Sequence, residues 1–451
     1  MNTYSSYKDS GIEWIGEIPS GWRIEKLKYI GNLYGGLTGK SGKDFNNEDN
    51  PYNKPFIPFT NIFNNVYISS NHFQYVNIKP DERQNRVIKN DLFFLMSSEG
   101  YEDLGKSSIL ISEIDELYLN SFCKGYRVNT DDVNPLFVNY QLLGNTHRKL
   151  ISIEGKGFTR INLRQDKLKN TYMFIPPLQE QQQIVDYLDK KTSKIDKLIE
   201  KTEQKIELLK EQRTSLINTT VTKGLDPNVE MKDSGVEWIG KIPSEWNTIS
   251  LRYYLIRVGS GSTPRGGGDV YSDNGIPFLR SQNVHFDGLH LEGVVFISEE
   301  IHQNMNNTIV KHGDVLLNIT GGSIGRSCVV DTHEEMNVNQ HVSILRTKES
   351  LINFYLNYCL VSSIGQEQVD YNQTGGNREG LSSDNIKNFK FVLPPLQEQQ
   401  QIVDYINKKT SKIDKLVDIE SKRIILLKEY RQSLISDVVT GKVDVRDEVL
   451  V

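Results

Sequence analysis

The sequence has little cysteine and no long apolar run. Its three cysteines, Cys123, Cys328 and Cys359, are isolated in a chain of 451 residues, so neither a Cys-x-x-Cys metal site nor a disulfide framework is predicted. No apolar run of 18 residues occurs, and the start MNTYSSYKDSG has no charged segment followed by an apolar one. We therefore expect neither membrane insertion nor export, and the expected location is the cytoplasm.

The chain also lacks an excess of positive charge. Residues 1–175 contain 21 Lys+Arg against 20 Asp+Glu, and residues 231–393 contain 13 against 18. This balance argues against a generally basic face, so any contact with nucleic acid must come from local basic loops.

Catalytic and metal-binding patterns are missing as well. Gly39-Lys40-Ser41 lacks the earlier glycine of a phosphate-binding loop, because Tyr34 occupies that position. Glu154-Gly155-Lys156 has no Pro-Asp partner at nuclease spacing, and the eight histidines form no recognisable ligand pair. We predict no catalytic residue, no metal site and no cofactor in this chain.

What is present is a stretch that occurs twice. Residues 176–198 read PPLQEQQQIVDYLDKKTSKIDKL, and residues 394–416 repeat this stretch with 21 of 23 positions identical. Each copy continues for about 40 residues without Gly or Pro, and Pro is compatible with the first turn of a helix. We predict long helices over roughly 177–218 and 395–438.

Apolar residues in both helices recur at spacings of three, four or seven, which predicts a packed seam. The near-identity of the two seams favours antiparallel pairing of the helices with each other. The alternative is that each helix lies on its own domain. The predicted seam residues are Ile184, Leu188, Ile195, Leu198, Leu209 and Leu216 in the first helix, and Ile402, Ile406, Ile413, Leu416, Leu427 and Leu434 in the second.

A second repeat precedes each divergent region. Residues 8–22 (KDSGIEWIGEIPSGW) and 232–246 (KDSGVEWIGKIPSEW) share 12 of 15 positions and contain all four tryptophans, which predicts packing anchors. The divergent regions have short β-type runs between Gly, Asn and Ser turns, so we predict an α/β (α+β) fold class with mainly β cores. The predicted order is a first domain (1–175), a first helix with its connector (176–222), a second domain (231–393) and a second helix (394–442).

Loops of both domains supply side chains that are suited to DNA. Arg matches guanine edges and phosphates, and Asn or Gln matches adenine, although a solvated surface is the alternative for any one of them. The candidates are Lys40, Lys156, Phe158, Arg160, Asn162 and Arg164 in the first domain, and Arg265, Arg280, Gln282, Asn283, Arg326, Asn377 and Arg378 in the second.

Together, the doubled PPLQEQQQI at Pro176 and Pro394 and the doubled Trp-Ile-Gly-x-Ile-Pro at Trp14 and Trp238 resemble the specificity subunits of type I restriction–modification systems. The resemblance implies two target-recognition domains that read the halves of a split, asymmetric site in double-stranded DNA, held apart by an antiparallel helix pair.

The resemblance also implies partner subunits. Two methyltransferase subunits would bring S-adenosylmethionine, restriction subunits would use ATP and magnesium, and this chain would catalyse neither reaction. The alternative is a helical-hairpin scaffold that presents two ligand-binding domains and does not bind DNA.

Overall fold

The computed structural model describes residues 2–12, 15–45, 51–373 and 380–448, and the chain divides into two compact units. Unit 1 consists of Met1–Thr202 and Lys422–Val451, and unit 2 consists of Glu203–Ser421. Each unit contains one divergent region together with a part of both long helices.

Unit 1 is a mixed α/β structure. Its strands are β1 (Tyr7–Asp9), β2 (Glu17–Pro19), β3 (Arg23–Lys26), β4 (Gly31–Gly35), β5 (Asn53–Ile57), β6 (Gln74–Asn77), β7 (Leu92–Leu95), β8 (Ser97–Ser98), β9 (Ser107–Ile109), β10 (Tyr118–Leu119), β11 (Cys123–Val128), β12 (Ile161–Asn162) and β13 (Tyr172–Ile175). Its helices are α1 (Leu27–Ile30), α2 (Phe59–Asn64), α3 (Pro135–Leu143), α4 (Asn145–Ile153), α5 (Gln165–Lys169) and the first part of α6 (Leu178–Lys223).

Unit 2 has the same kind of element order. Its strands are β14 (Met231–Asp233), β15 (Lys241–Pro243), β16 (Asn247–Ser250), β17 (Leu255–Ser260), β18 (Ile276–Leu279), β19 (Val284–His285), β20 (Gly288–Leu289), β21 (Val295–Ile297), β22 (Ile309–Val310), β23 (Val315–Asn318), β24 (Ser327–Val329), β25 (Met336–Val338), β26 (Val342–Thr347) and β27 (Lys390–Leu393). Its helices are α7 (Glu299–Asn304), α8 (Asn353–Val361), α9 (Ser363–Asn372), α10 (Ser383–Asn388) and the first part of α11 (Leu396–Val439).

The central sheet is built in the same way in both units. Unit 1 has a four-stranded antiparallel sheet in the order β4–β11–β7–β9, and unit 2 has β17–β26–β23–β24. A second sheet contains one parallel pair, which is β10 with β5 in unit 1 and β18 with β25 in unit 2. The predicted α/β class is confirmed, and the central sheets of the two divergent regions share one strand order, although the second sheet has three strands in unit 1 and four in unit 2.

An ion pair between a partly exposed arginine and a buried aspartate recurs in both central sheets. In unit 1, Arg127 donates from Nε and Nη2 to the two carboxylate oxygens of Asp91 over 2.8 and 2.7 Å. In unit 2, Arg346 donates to Asp314 over 2.7 and 2.7 Å. Each aspartate is buried and directly precedes an inner strand. Removing either arginine would leave a buried carboxylate without its counter-charge, so the ion pair should stabilise both central sheets.

The two long helices are confirmed, with one difference in length. Helix α11 ends close to the predicted boundary, but α6 continues five residues past Asn218 to Lys223. The extension is held by packing, because Val221 is buried in the core of unit 2. None of the helices in the described part of the chain combines the length and the apolar character needed to cross a membrane.

Charged pairs show how α6 and α11 run within each unit. In unit 2, Lys205 pairs with Glu420 and Arg213 with Asp414, over 2.5 and 2.9 Å, so the helices are antiparallel. In unit 1, Arg431 pairs with Asp196 over 2.8 Å.

In the apolar packing, the long helices contact each other and also pack on the domains, so both arrangements considered from the sequence occur. One cluster of unit 1 contains residues of both helices as well as Trp22 and Phe174 of the domain. The members of this cluster on α6 and α11 are Ile184, Val185, Tyr187, Leu188, Ile195, Leu434, Ile435, Val438 and Val439. In unit 2, Ile402 and Ile406 lie in the corresponding cluster with Trp246.

The predicted seam residues are not equally buried. Ile184, Leu188, Ile195, Ile402, Ile406, Ile413 and Leu434 are buried, and Leu198, Leu209, Leu216 and Leu427 are half-buried. Leu416 is 43% exposed, so the expectation that it lies in the seam is corrected. A strict heptad drifts around a straight helix, which moves such positions off the packed face.

The tryptophan repeats join each domain to a long helix. Trp22 and Trp246 are buried, and each indole Nε1 donates to a glutamate in the first turn of a long helix, Glu180 or Glu398, over 2.9 Å. The predicted anchoring role is confirmed for these two residues. Trp238 is half exposed and does not serve as a buried anchor. Trp14 lies outside the described residues.

Candidate nucleic-acid interface

In unit 1, several loops leave the central sheet at one edge, here termed the loop edge of unit 1. The register places Gly35, at the end of β4, opposite Lys124, and Leu95, at the end of β7, opposite Cys123. The segments that emerge side by side are 36–41, 96–106 and 120–122.

A fourth segment joins this edge because β12 pairs with β8, with Ile161 opposite Ser98. The backbone of Lys156, which precedes β12, exchanges two hydrogen bonds with the backbone of Asn162, which lies within β12, with N–O distances of 3.1 and 2.9 Å. Residues 156–162 therefore form a tight hairpin, termed the tip hairpin. It projects from the loop edge directly before α5.

The tip of this hairpin presents an aromatic ring between cations. Gly157 has φ +144°, and a Cβ at this position would lie 2.0 Å from the carbonyl oxygen of Arg160, so the turn requires glycine. Phe158 is fully exposed, and Lys156 and Arg160 are exposed on either side of it. Within the described part of the chain, the charged groups of Lys156 and Arg160 have no ion-pair partner.

Two other predicted residues lie at the base of the hairpin. Asn162 is exposed, and its side-chain amide donates to the carbonyl of Arg160 over 3.2 Å, which braces the tip. Arg164 is also exposed, but its guanidinium donates twice to Asp166, over 2.9 and 3.0 Å. The structure brings both residues to the same edge, with Arg164 partly neutralised.

Lys40 has a different role from the predicted one. Its ammonium is buried, forms an ion pair with Glu82 and donates to the carbonyl of Asn77. The hydrogen bond from Lys40 lowers the pKa of the Glu82 carboxyl. Because this side chain is already paired and enclosed, Lys40 stabilises the loop and is not available to contact DNA.

Unit 2 has the same edge, termed the loop edge of unit 2. Ser260, at the end of β17, lies opposite Ser343, and Asn318, at the end of β23, lies opposite Val342. The segments that leave the sheet here are 261–265, 319–326 and 339–341.

The parallel pairing of β18 with β25 brings in a further segment. Leu279 lies opposite Val338, and the carbonyl of Ser281 accepts a hydrogen bond of 2.8 Å from the side chain of Asn318. Arg280 and Gln282 are therefore at the loop edge of unit 2, where Arg280 is half-buried and Gln282 is exposed.

Asn283 is the second predicted contact that the structure corrects. It is buried, its oxygen accepts from the backbone N–H of Arg280 over 3.0 Å, and its amide donates to the carbonyl of His290 over 2.9 Å. These bonds close a short turn and occupy the amide edge. Asn283 therefore shapes the segment that carries Gln282 and is not available to a base.

Two further predicted residues of unit 2, Arg265 and Arg326, also lie near this edge. Arg265 is exposed on the loop after β17, and Arg326 is half-buried directly before β24, with its carbonyl accepting from the N–H of Asn318 over 2.8 Å. Asn377 and Arg378 lie outside the described residues, but Gly380, which follows them, bridges Thr320 at the same edge.

Sequence reasoning missed a polar chain across the loop edge of unit 2. The hydroxyl of Thr320 bonds to Nδ1 of His341 over 2.5 Å, Gln340 bonds to the other ring nitrogen over 3.2 Å, and the hydroxyl of Thr263 donates to Gln340. This chain connects three of the loops and leaves polar groups at the surface.

The residue of unit 1 that corresponds to His341 is Phe122, which is 68% exposed. Asn120 and Asn339 each accept a hydrogen bond from the backbone N–H two residues later, so the two turns match. In the sequence, each of these turns is indicated by an Asn that follows a short β-type run and precedes Phe or His by two residues.

The two edges offer different chemistry on one scaffold. Unit 1 presents aromatic rings and cations, which suit apolar contact with base edges and contact with phosphates. Unit 2 presents Arg, Gln, His and Thr, which suit hydrogen bonding to base edges. A group of two histidines and an aspartate also lies in unit 2, on the β19–β20 hairpin, with one potential ligand atom of each residue within 4.8 Å of the others.

Comparison with known proteins agrees with this architecture. A family model described as "Type I restriction modification DNA specificity domain" matches residues 19–208 and 243–429. The type I restriction enzyme MjaVIII specificity subunit of Methanocaldococcus jannaschii is 24% identical over 377 residues, which is 82% of this chain and 83% of that protein. The type I restriction enzyme EcoKI specificity subunit of Escherichia coli is 21% identical over 445 residues, covering 95% of this chain and 90% of the relative.

A solved structure extends the similarity to the fold. A chain from a study of complex assembly and conformational transition of the type I R-M system superposes with a TM-score of 0.71 at 16% identity, covering 94% of this chain and 99% of that one. The matched residues of the family model span most of both units. The chain therefore belongs to the type I restriction–modification DNA specificity family and contains two copies of its domain.

Proposed function

We propose that this chain is the DNA-reading subunit of a type I restriction–modification complex and that each unit reads one half of a bipartite, asymmetric site. The long helices set the distance between the half-sites and dock the methyltransferase and restriction subunits. S-adenosylmethionine, ATP and magnesium are used by those partners, and this chain carries out neither methylation nor cleavage.

The observation that carries the proposal is one sheet edge built twice with different side chains. The loops of both edges leave equivalent strands, yet unit 1 displays Phe122 where unit 2 displays His341. Unit 1 also displays Phe158 and Arg160 at its edge, and unit 2 displays Arg265 and Gln282. A conserved scaffold with two different polar surfaces is expected of a protein that reads two different half-sites. The near-neutral charge of the first domain fits local contacts better than a continuous basic face.

The long helices supply surface for partner subunits. Large apolar side chains face solvent on them, namely Ile425 and Leu426 in unit 1 and Leu208 and Ile419 in unit 2. A partner subunit that packs on the helices would cover these side chains and remove their apolar surface from water. Their position supports docking of partners along the helices, while the loop edges remain free for DNA.

A domain exchange tests the bipartite proposal. Residues 23–175 are replaced by the equivalent region of a related subunit, and methylated adenines are mapped in host DNA with and without the hybrid gene. We expect only one half of the methylated sequence to change. A change in both halves, or in neither, would contradict the proposal. Failure of the assembled methyltransferase to bind DNA would favour the scaffold alternative.

The tip hairpin gives a residue-level test. If Arg160 forms a bidentate base contact, Arg160→Ala should weaken binding by about 1–3 kcal/mol and relax specificity at one base pair. If it contacts only phosphate, affinity should fall for all sequences and the salt dependence should become shallower. Titration of the assembled methyltransferase against cognate and single-base-altered duplexes at several salt concentrations separates the two outcomes.

Lys169→Ala is a matched control, because it removes an exposed cation from α5 of the same unit outside the loop edge. We expect it to leave affinity and salt slope close to those of the unaltered protein. Unchanged binding by Lys156→Ala and Arg160→Ala together would exclude the tip hairpin from the interface.

A further inference from the structure

A hairpin in unit 2 places two histidines on one face. Val284 pairs with Leu289 and His285 with Gly288, so a two-residue turn joins β19 to β20. The N–H of His290 donates to the carbonyl of Asn283 over 2.9 Å, which extends the pairing by one step. Residues 285 and 290 are diagonal neighbours in this register, and such neighbours point to the same side of a two-stranded ribbon.

The side chains of this hairpin converge with an aspartate from the turn. The rings of His285 and His290 stack with their centroids 4.0 Å apart and their planes 15° from parallel. Nε2 of His290 lies 3.1 Å from Oδ1 of Asp287. One ligand atom from each of the three residues lies within 4.8 Å of the other two.

The tautomer of His285 is set by its backbone neighbour. Nε2 of His285 lies 2.9 Å from the carbonyl oxygen of Gln282. Because a carbonyl oxygen only accepts, Nε2 carries the hydrogen and Nδ1 keeps its lone pair in the neutral ring. A histidine that donates one ring N–H to a backbone carbonyl and offers the other nitrogen is the usual arrangement of a metal ligand.

We propose that His285, Asp287 and His290 bind one divalent transition-metal ion of the zinc type. Imidazole and carboxylate are ligands for zinc, and two imidazoles disfavour magnesium, which prefers oxygen ligands and retains its water. Three protein ligands leave a coordination position for water. His285 is half-buried and the other two residues are exposed. Because a metal lies in the plane of each imidazole that binds it, the stacked rings must rotate out of their parallel arrangement to share one ion, and the exposed side chain of His290 can make this change without moving the core.

Two consequences follow from such an ion. It links β19, the turn and the residue after β20, so it should stabilise the hairpin against opening. It also places positive charge beside Gln282 in a domain that has 13 Lys+Arg against 18 Asp+Glu over residues 231–393. The hairpin is therefore a place where metal can alter the electrostatics of the loop edge of unit 2.

A second pair of stacked histidines in the same unit supplies a matched control. The rings of His312 and His333 lie 4.2 Å apart at 24°, but within the described residues they belong to no group of three metal-ligand side chains. Replacing this pair removes as many imidazoles as replacing His285 and His290. Any difference between the two double variants therefore reports the three-residue group itself.

The test uses the full-length chain without an affinity tag, stripped with a chelator and dialysed. Cobalt(II) is titrated while its visible absorption is recorded, and zinc and magnesium are then added as competitors. We expect one equivalent of cobalt to bind to the unaltered protein and to H312A/H333A, zinc to displace it, and magnesium to have no effect. H285A/H290A should bind none, and zinc should raise the melting temperature only of the two binding proteins.

Asp287→Asn keeps the size of the turn residue and removes only the charged ligand, so it tests the site even if H285A/H290A does not fold. We expect weaker cobalt binding by this variant with an unchanged circular dichroism spectrum. The proposal is overturned if the unaltered chain binds no cobalt. It is equally overturned if binding survives in folded H285A/H290A, or if Asp287→Asn binds with unchanged affinity. None of these three results depends on DNA recognition.

Discussion

Trp22→Phe should destabilise unit 1 by removing one donor from a buried carboxylate. Trp22 is 1% exposed and Glu180 is 7% exposed. The indole donates to Oε1 of Glu180 over 2.9 Å, and the hydroxyl of Tyr4 donates to the same oxygen over 2.7 Å. A hydrogen bond to a charged group contributes about 1.5–3 kcal/mol. The smaller ring adds about 1 kcal/mol for the space it leaves.

The second copy of the anchor predicts a smaller effect. Trp246 is equally buried and donates to Glu398 over the same 2.9 Å, but Glu398 is only half-buried. Water can therefore replace the lost donor, and the hydrogen-bond part of the loss should fall to about 0.5–1.5 kcal/mol. Trp22→Phe should thus be more harmful than the chemically identical Trp246→Phe.

Hydrogen exchange followed by mass spectrometry at increasing denaturant measures the two units separately, which a single melting curve does not. A double-mutant cycle of Trp22→Phe with Glu180→Gln should give a coupling energy of about 1 kcal/mol or more. Equal destabilisation by the two tryptophan variants, or a coupling energy near zero in the cycle, would refute the argument from carboxylate burial.

Three further outcomes are expected. Ile195→Asp and Ile413→Asp each place an unpaired carboxylate in a buried position, and each should lower the free energy of unfolding by several kcal/mol in urea titrations. Burial lowers the pKa of His147 from 6.5 to about 4. Above pH 6.5 the ring is neutral in both states and costs no stability, whereas stability is lost as pH falls from 6.5 towards 4 because only the unfolded state gains the proton there. His147→Gln should reduce this loss, measured as urea midpoints at pH 7 and pH 4.5. Burial raises the thiol pKa to about 12 at all three cysteines, so iodoacetamide at pH 8 should label them only after unfolding. These cysteines are Cys123, Cys328 and Cys359.

Most of the fold that could be predicted from the sequence was predicted from its two repeated segments. Their helix-forming residues and apolar spacing predicted α6 and α11, and the Trp-containing repeat predicted the anchors Trp22 and Trp246. The end of α6 was misplaced because Thr219, Thr220 and Val221 are poor helix formers, and tertiary packing overrides local propensity there.

Residue type and loop position predicted some of the exposed residues of the candidate site, but they did not predict which side chains the folded loops enclose. Arg160 and Gln282 are exposed at their loop edges, as basic and amide side chains on loops usually are. Lys40 and Asn283 are not, because their partners Glu82 and His290 are specified only by the folded loops. Phe122 and His341 were not predicted, because the Asn-x-Phe and Asn-x-His patterns indicate a turn but not that a parallel strand pair brings this turn to the loop edge.

The division of the helices between units determines the order in which this protein can fold during translation. Unit 2 is one continuous segment, whereas unit 1 needs Lys422–Val451, which the ribosome makes after unit 2. Ile184 and Leu188 pack against Leu434 and Val438, so their apolar surface stays uncovered until the final helix emerges. Domains that form as continuous segments can fold as they are synthesised. The domain that is synthesised first is therefore completed last, and a chain interrupted after residue 421 would retain unit 2 while exposing the unfinished core of unit 1 to chaperones or aggregation.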